Sequence, residues 1–292
     1  MKRLPGEIST LPLRTRINAL SRLEKDPEGC FLAEDNEKIL GFIYSRSWGK
    51  VGWFGTFAVL PEYQGQGIGK ELINASLGYL RHQGCHVIGI ETMPESAYNI
   101  GLYLKQGFKP RYLTIQLSKY LQEGNPDIEL PRWSQTDVKS RERWIKELRD
   151  ATMQLSPGFD YTREITCTDQ FGTGETLVLT HRGRAVGMCT VALQSPRENA
   201  GEDTAIIQVL AIHPAHTSSE ALTTLLQGTE ALAHSRGKVK LVLPVNARHA
   251  WALEQVVRLG YRVERTMVRM TLQGVEEDAV PDELVNLSRW AG

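Results

Sequence analysis

Long apolar runs are missing from this 292-residue sequence. No stretch approaches the roughly 18 apolar residues that a membrane-spanning helix needs, and the first ten residues lack the apolar core of a secretory signal. Net charge is also missing, because 34 Lys and Arg residues balance 34 Asp and Glu residues. Such a chain has no bulk charge to attract nucleic acid or an anionic membrane surface. We therefore expect a cytoplasmic protein whose main partner is neither nucleic acid nor membrane.

Cysteine is scarce and scattered. The four cysteines lack C-x-x-C spacing, and three of them stand in apolar runs where a thiol packs as a small hydrophobic group. His213 and His216 form an H-x-x-H pair, but the sequence shows no third ligand nearby. We predict neither a disulfide nor a metal site.

The chain contains an internal repeat at an offset of 153 residues, at which Pro61 corresponds to Pro214 and Gly107-Phe108 to Gly260-Tyr261. Each half predicts two hairpin strands and a longer strand, followed by helix, strand, helix and strand. A polar segment with the composition of a linker, residues 121–127, separates the halves. The pattern predicts two α/β domains, residues 1–121 and 127–292.

The two halves begin differently. The second has a candidate first strand, Asp127 to Pro131, and a helical pattern from Val138 to Met153 before its hairpin. The repeat would place the matching strand of the first half before Met1. The first domain therefore either lacks that strand or starts late, and the sequence leaves both alternatives open.

Three alternating glycines, Gly65, Gly67 and Gly69, stand between a predicted strand (50–60) and a predicted helix (70–81). Without Cβ atoms, such a turn can direct several backbone N–H groups at one anion, and the helix N-terminus adds about half a positive charge. The spacing is neither the G-x-G-x-x-G of a dinucleotide site nor the pattern of a nucleotide-triphosphate loop. The turn predicts a different phosphate-bearing ligand.

The segment resembles the acyl-CoA loop of the GNAT superfamily of N-acyltransferases, whose pattern is Gln or Arg, two residues, Gly, one residue, and Gly or Ala. Gln64, Gly67 and Gly69 match it, and residues 99–108 resemble the Leu-Tyr-x-x-x-Gly-Phe segment of that family. The resemblance implies two tandem domains of α/β class, each a mainly antiparallel mixed sheet flanked by helices, with acetyl-CoA as acyl donor. The expected cofactor contacts are Phe57, Val59, Gln64, Gly65, Gln66, Gly67, Ile68, Gly69, Lys70 and Asn99.

Two residues are candidates for the chemistry of acyl transfer. Tyr103 resembles the general acid of the family, and because a phenol pKa of about 10 exceeds a thiol pKa by about 1.5, a hydrogen bond to the leaving thiolate is favoured over complete proton transfer. Glu91, after the apolar strand 87–90, is the best-placed carboxylate to accept the amine proton. Backbone N–H groups near Phe57 to Val59 would polarise the carbonyl, because the resemblance implies a splayed strand. The alternatives are a packing tyrosine and a surface acid.

The second copy differs where the chemistry would be. Ser218, Glu220 and Leu222 replace the three glycines, Val256 stands opposite Tyr103, and Pro244 stands opposite Glu91. Thr217 with Glu220 predicts a capping box, which would satisfy the helix N-terminus from within. We therefore expect the second domain to be non-catalytic.

These observations predict a transferase that moves an acetyl or short acyl group from CoA to a primary amine on a small molecule or peptide. The alternative is a non-catalytic CoA-binding sensor or interaction module, which would need the loop but not Tyr103. We expect a monomer or homodimer. The acceptor is not predictable, because acceptor pockets of one fold vary with its loops.

Overall fold

The computed structural model describes residues 14–122, 128–196, 202–277 and 284–288. The strands are β1 (Cys30–Asp35), β2 (Lys38–Trp48), β3 (Val51–Val59), β4 (Val87–Thr92), β5 (Phe108–Tyr120), β6 (Gly174–His181), β7 (Arg184–Ala192), β8 (Thr204–Ile212), β9 (Lys240–Asn246), β10 (Arg262–Leu272) and β11 (Asn286–Ser288). The helices are α1 (Arg16–Lys25), α2 (Ile68–His82), α3 (Ala97–Lys105), α4 (Val138–Met153), α5 (Thr162–Gln170), α6 (Ser219–Ser235) and α7 (Ala250–Arg258). Within these residues, no helix is long and apolar enough to cross a membrane.

The strands form one mixed sheet in the order β1-β2-β3-β4-β10-β5-β9-β8-β7-β6, with β11 beside β8. Among the strands of the described residues, only the β3–β4 and β8–β9 pairs are parallel, and they occupy equivalent places in the two halves. This arrangement confirms the predicted mainly antiparallel mixed sheet.

The repeat is visible in the element bounds. Strands β3 and β8 begin and end at residues separated by the predicted offset of 153, and so do helices α3 and α7. The buried positions of the longest helix of each half repeat as well. Helix α2 buries one face through Leu72, Ile73, Leu77 and Leu80. The matching helix α6 buries Leu225 and Leu226 among others.

The last strands of the two halves are exchanged. Strand β10, from the second half, lies between β4 and β5, while β5, from the first half, lies between β10 and β9. Each half therefore completes its sheet with a strand from the other, and the boundary between 1–121 and 127–292 runs through a continuous hydrogen-bonded ladder.

The prediction of a first strand at Asp127 to Pro131 is wrong for its described residues, and Asp127 itself lies outside them. Next to this segment, Arg132 makes one isolated bridge to Leu177, and the Pro131 carbonyl accepts a hydrogen bond from Val178 N at 2.9 Å. Proline has no N–H, so it cannot continue a ladder as donor. The predicted helix at Val138 to Met153 is confirmed.

A buried ion cluster connects the exchanged strands. Arg269 of β10 is 1% exposed, and its guanidinium bonds Glu91 Oε1 of β4 at 2.6 Å. On its other side it bonds both carboxylate oxygens of Glu277, at 2.6 and 3.0 Å, and it lies 4.3 Å from the ring centroid of Trp53. One cation thus holds two carboxylates from distant parts of the chain.

We predict that Arg269→Met destabilises the protein by roughly 3–5 kcal/mol, because it leaves the buried Glu91 and the partly buried Glu277 without their counter-ion. Urea unfolding followed by circular dichroism measures the loss. The matched control is Arg265→Met, on the same strand but exposed and bonded to Gln116, which should change stability by less than about 0.5 kcal/mol. Equal midpoints for the two variants would contradict the prediction.

Candidate active site

A cavity of about 390 Å³ lies where β3, the loop after it, the start of α2 and the helix α3 meet. It gathers most of the residues predicted to contact the cofactor, together with Tyr103. Its lining is Phe57, Ala58, Val59, Tyr63, Gln64, Gly65, Gly67, Gly69, Lys70, Tyr98, Asn99, Leu102 and Tyr103. Gln66 and Ile68 are not part of this lining: Gln66 bonds the Glu62 carbonyl at 3.2 Å, and Ile68 packs against the core.

The glycine loop forms the mouth of α2. Gly65 and Gly67 have φ values of 82° and 90°, a conformation that strains any residue with a Cβ atom. A Cβ at either position would meet nothing within 4 Å, so the space beside both glycines is open. Gly67 is the N-cap of α2 and provides no side-chain cap. The first N–H groups of the helix are thus available for an anionic group.

The edge of β3 is open beside this loop. Strand β3 pairs with β4 only from Val51 to Trp53, although it continues to Val59. Leu60 N donates to the Leu40 carbonyl of β2 at 2.8 Å. Since successive N–H groups of a strand point to opposite edges, those of Phe57 and Val59 face away from β2. The splayed strand implied by the resemblance is present, with two donors on its open edge.

Gln64 fixes the end of this edge. Its side-chain amide donates to the Val59 carbonyl at 2.9 Å. The carbonyl of Val59 is therefore occupied from within the loop, while its N–H group faces the cavity side. Gln64 thus couples the position of the glycine loop to the position of the open strand.

Tyr103 is buried between two aromatic rings. The centroids of Phe54 and Phe108 each lie 6.2 Å from its own, in edge-to-face orientation. Burial raises the pKa of Tyr103 to about 12. The phenol therefore stays protonated and can donate a hydrogen bond. Its pKa exceeds that of a thiol by about 3.5 rather than the expected 1.5, so complete proton transfer would be uphill by about 5 kcal/mol.

Glu91 does not lie in this cavity. Its neighbour Ile90 packs in the same core cluster as Tyr103, so Glu91 points to the opposite face of the sheet. It is not a surface acid, because its side chain is 2% exposed and pairs with Arg269. Thr114 Oγ1 also donates to Glu91 Oε1 at 2.6 Å. Among the described residues, these bonds leave Oε2 as the oxygen of Glu91 that can receive a proton from that side.

The match to known families agrees with this geometry. Residues 3–108 match the model described as the Acetyltransferase (GNAT) family. This segment, which carries the glycine loop and Tyr103, is called the GNAT domain below because of this match.

Related proteins extend the comparison. A mycothiol acetyltransferase from Pseudarthrobacter chlorophenolicus is 33% identical over 104 residues, a match that covers 32% of each protein. The chain thus spans about a third of the length of this relative. Over nearly the whole chain, the fold resembles that of a candidate acetyltransferase from Pyrococcus horikoshii, with a TM-score of 0.67, 19% identity and coverage of 98% and 86%. A tandem GNAT protein from the clavulanic acid biosynthesis pathway gives a TM-score of 0.55 at 14% identity, with coverage of 94% and 92%.

The second repeat has a closed helix start where the GNAT domain has its glycine loop. The N-cap of α6 is Ser218, whose hydroxyl accepts from Ala221 N at 3.0 Å. The predicted cap at Thr217 is wrong, because Ser218 has the extended conformation that brings its side chain over the first turn, whereas Thr217 turns back to the His213 carbonyl. As predicted, however, a side chain accepts a hydrogen bond from a backbone N–H group at the start of this helix.

The open strand edge is also filled in the second repeat. Strand β11 pairs with Val209 to Ala211 of β8, the residues that correspond to Thr56 to Ala58 of β3. Ile212 N, the counterpart of Val59 N, donates to the Val285 carbonyl at 3.2 Å. The chain's own β11 segment thus covers the edge that stays open in the GNAT domain. Sequence reasoning missed β11, because a three-residue strand shows no periodicity.

A third imidazole joins the H-x-x-H pair. His181 of β6 lies 5.0 Å from His216 between ring centroids, and His213 lies 5.5 Å from His216. No local pattern indicated His181, because it belongs to β6, more than 30 residues before the H-x-x-H pair. Nevertheless, no group of three or more His, Cys, Asp or Glu side chains in the described part of the chain has the geometry of a metal site.

We predict that one CoA binds per chain, in the GNAT domain. The second repeat lacks all three glycines, caps its own helix with Ser218 and fills the equivalent strand edge with β11. Calorimetric titration with acetyl-CoA should saturate near one equivalent. Saturation at two equivalents would contradict the prediction that the second repeat binds no CoA.

The loop itself is tested by Gly67→Glu with Gly67→Gln as the matched control. Both side chains strain the positive φ of Gly67 equally, but only Glu places a negative charge at the helix N-terminus, opposite to what a pyrophosphate needs. We expect Gln to weaken CoA binding and Glu to weaken it at least about tenfold further. Equal affinities for the two variants, measured by calorimetry, would show that no phosphate lies at this loop.

Proposed function

We propose that the GNAT domain is an N-acetyltransferase that moves an acetyl or short acyl group from CoA to a primary amine. The observation that carries the proposal is the convergence of three features on one cavity: the glycine loop, the open edge at Phe57 and Val59, and Tyr103. A binding site for the cofactor alone would need only the first two.

Each feature has a chemical task in this proposal. The glycine loop and the start of α2 hold the pyrophosphate, and the edge of β3 bonds the pantetheine arm as an added strand would. The amine nitrogen attacks the thioester carbonyl, a C–N bond forms, and the C–S bond breaks. The N–H groups of Phe57 and Val59 stabilise the oxyanion. Tyr103 donates a hydrogen bond to the departing thiolate, and Asn99 lies beside the arm.

The amine must lose a proton, and the cost depends on its class. Deprotonation at pH 7 costs about 4.6 kcal/mol for a lysine-like amine but about 1 kcal/mol for an α-amino group. Glu91 would accept this proton through Oε2, and its position supports an acceptor that approaches from the face opposite Tyr103. The second repeat is non-catalytic in this proposal. Its Arg269 orients Glu91 through their ion pair.

The alternative is a non-catalytic CoA sensor. The placement of Tyr103 in the cavity favours the enzyme, because a sensor has no leaving thiolate to stabilise. The relative named for mycothiol acetylation puts small-molecule amines first among acceptors to test, with peptides second. A screen of amines, amino sugars, amino acids and peptides with acetyl-CoA, measured by thiol release, distinguishes the two functions. Saturable CoA binding without release for any acceptor would favour the sensor.

We predict that Tyr103→Phe lowers kcat about 100-fold with little change in CoA affinity, since it removes a hydrogen bond made only as the thiolate departs. Tyr120→Phe, an exposed tyrosine remote from the cavity lining, is the control. Because the pKa of Tyr103 is about 12, its ionisation should cause no fall in rate below about pH 11. An unchanged kcat would return Tyr103 to a packing role.

A further inference from the structure

A second cavity, of about 110 Å³, lies on the other face of the sheet. Ser45 of β2 contacts Ser76 of α2 at 2.7 Å, so its neighbour Arg46 points to the face away from α2. Arg46 and Trp48 line this second cavity, α1 forms one side, and α5, β7 and β8 of the second repeat form the other. The cavity is therefore built by both repeats.

The cavity adjoins the open edge of β3. Arg14, at its rim, donates to Thr56 Oγ1 at 3.0 Å. Thr56 is next to Phe57, whose N–H group faces the open edge. A molecule bound in this cavity would approach that edge from the face opposite Tyr103, which is where the acceptor must enter if CoA occupies the first cavity.

Positive charge dominates the lining. Arg14, Arg22, Lys25 and Arg46 line the cavity together with one carboxylate, Glu164. Burial alone would raise the pKa of Glu164, but Lys25 and Arg46 lower it to about 2, so it is ionised at physiological pH. Both cations bond Glu164, Arg46 at 2.8 Å. Among the described residues that line the cavity, four cations thus accompany one carboxylate.

Two of these cations converge on a neutral atom. Arg14 Nη1 and Arg22 Nε both donate to Asn18 Oδ1, at 2.9 and 3.3 Å. Asn18 thus holds the two guanidinium groups at the same end of the cavity. Guanidinium groups bind carboxylates and phosphates with paired hydrogen bonds, and a partly enclosed positive cleft concentrates anions.

We propose that this cavity binds an anionic group, a carboxylate or a phosphate, carried by the acceptor molecule together with its amine. The inference rests on the proposed function for the identity of the site as an acceptor site. The anion-binding property follows from the lining residues themselves.

The kinetic test uses acceptors that differ only in the anionic group. With acetyl-CoA as donor and thiol release as readout, β-alanine is compared with n-propylamine, and phosphoethanolamine with ethanolamine. Because hydrogen bonds to charged groups are the stronger class, we expect kcat/KM to favour an anionic acceptor about tenfold or more. The two pairs distinguish carboxylate from phosphate. Equal use within each pair would overturn the inference.

Arg22→Gln is the informative variant, because it leaves Lys25 and Arg46 paired with Glu164. It should reduce the preference for the anionic member to within about threefold, while use of the neutral member stays unchanged. Arg16→Gln, on the same helix but exposed and outside the lining, is the control and should keep the preference. Arg14→Gln repeats the test at a second position, and thermal melting checks that each variant is folded.

A binding test separates this inference from the proposed function. Protein saturated with CoA, so that the glycine loop is blocked, is titrated calorimetrically with acetate and with inorganic phosphate. Binding by wild type that Arg22→Gln weakens about tenfold supports the cavity as an anion site, even if no amine is acetylated. Turnover of neutral amines without anion binding would uphold the proposed function and overturn this inference.

Discussion

The antiparallel pairing of β5 with β10 joins the two repeats, and the position of every other strand depends on it. Each repeat contributes its last strand to the sheet of the other, so neither sheet is complete without both. On its other edge, β10 pairs with β4, and this pairing brings Arg269 directly opposite Glu91. A buried cation from one repeat and a buried carboxylate from the other then stabilise each other, and removal of either leaves an isolated charge in the interior.

The two repeats serve as a comparison within one molecule. Their equivalent strands, β3 and β8, both separate from the parallel neighbour, yet within the described residues only β3 keeps a free edge. In β8 the same edge accepts β11, and Ile212 N bonds a peptide carbonyl. The second repeat thus shows what this edge can bind: an extended chain of amide groups. The pantetheine arm of CoA is such a chain, which supports the proposal that the edge of β3 binds this arm.

Local patterns predicted much of the architecture. The α4 helix has its predicted bounds because its hydrophobic spacing is unbroken. The glycine loop between β3 and α2 and Tyr103 of α3 lie in one cavity, as two motifs of one repeat predicted. Long-range partners were not predictable in the same way. Arg269 is 178 residues from Glu91, and no local pattern links them. The same holds for the cationic cavity, whose lining comes from both repeats, and for His181 beside His216.

The exchange of final strands also constrains how this sequence can change. A half-chain ending after β5 would expose the edges of β4 and β5, and unpaired edges recruit other strands. Two such halves would pair with each other through the same ladder, so a symmetric dimer of single repeats could make the same contact. In the fused chain, the two repeats that pair through β5 and β10 are always part of the same molecule. The second repeat can then lose its glycine loop without consequence for folding, but it cannot lose β10.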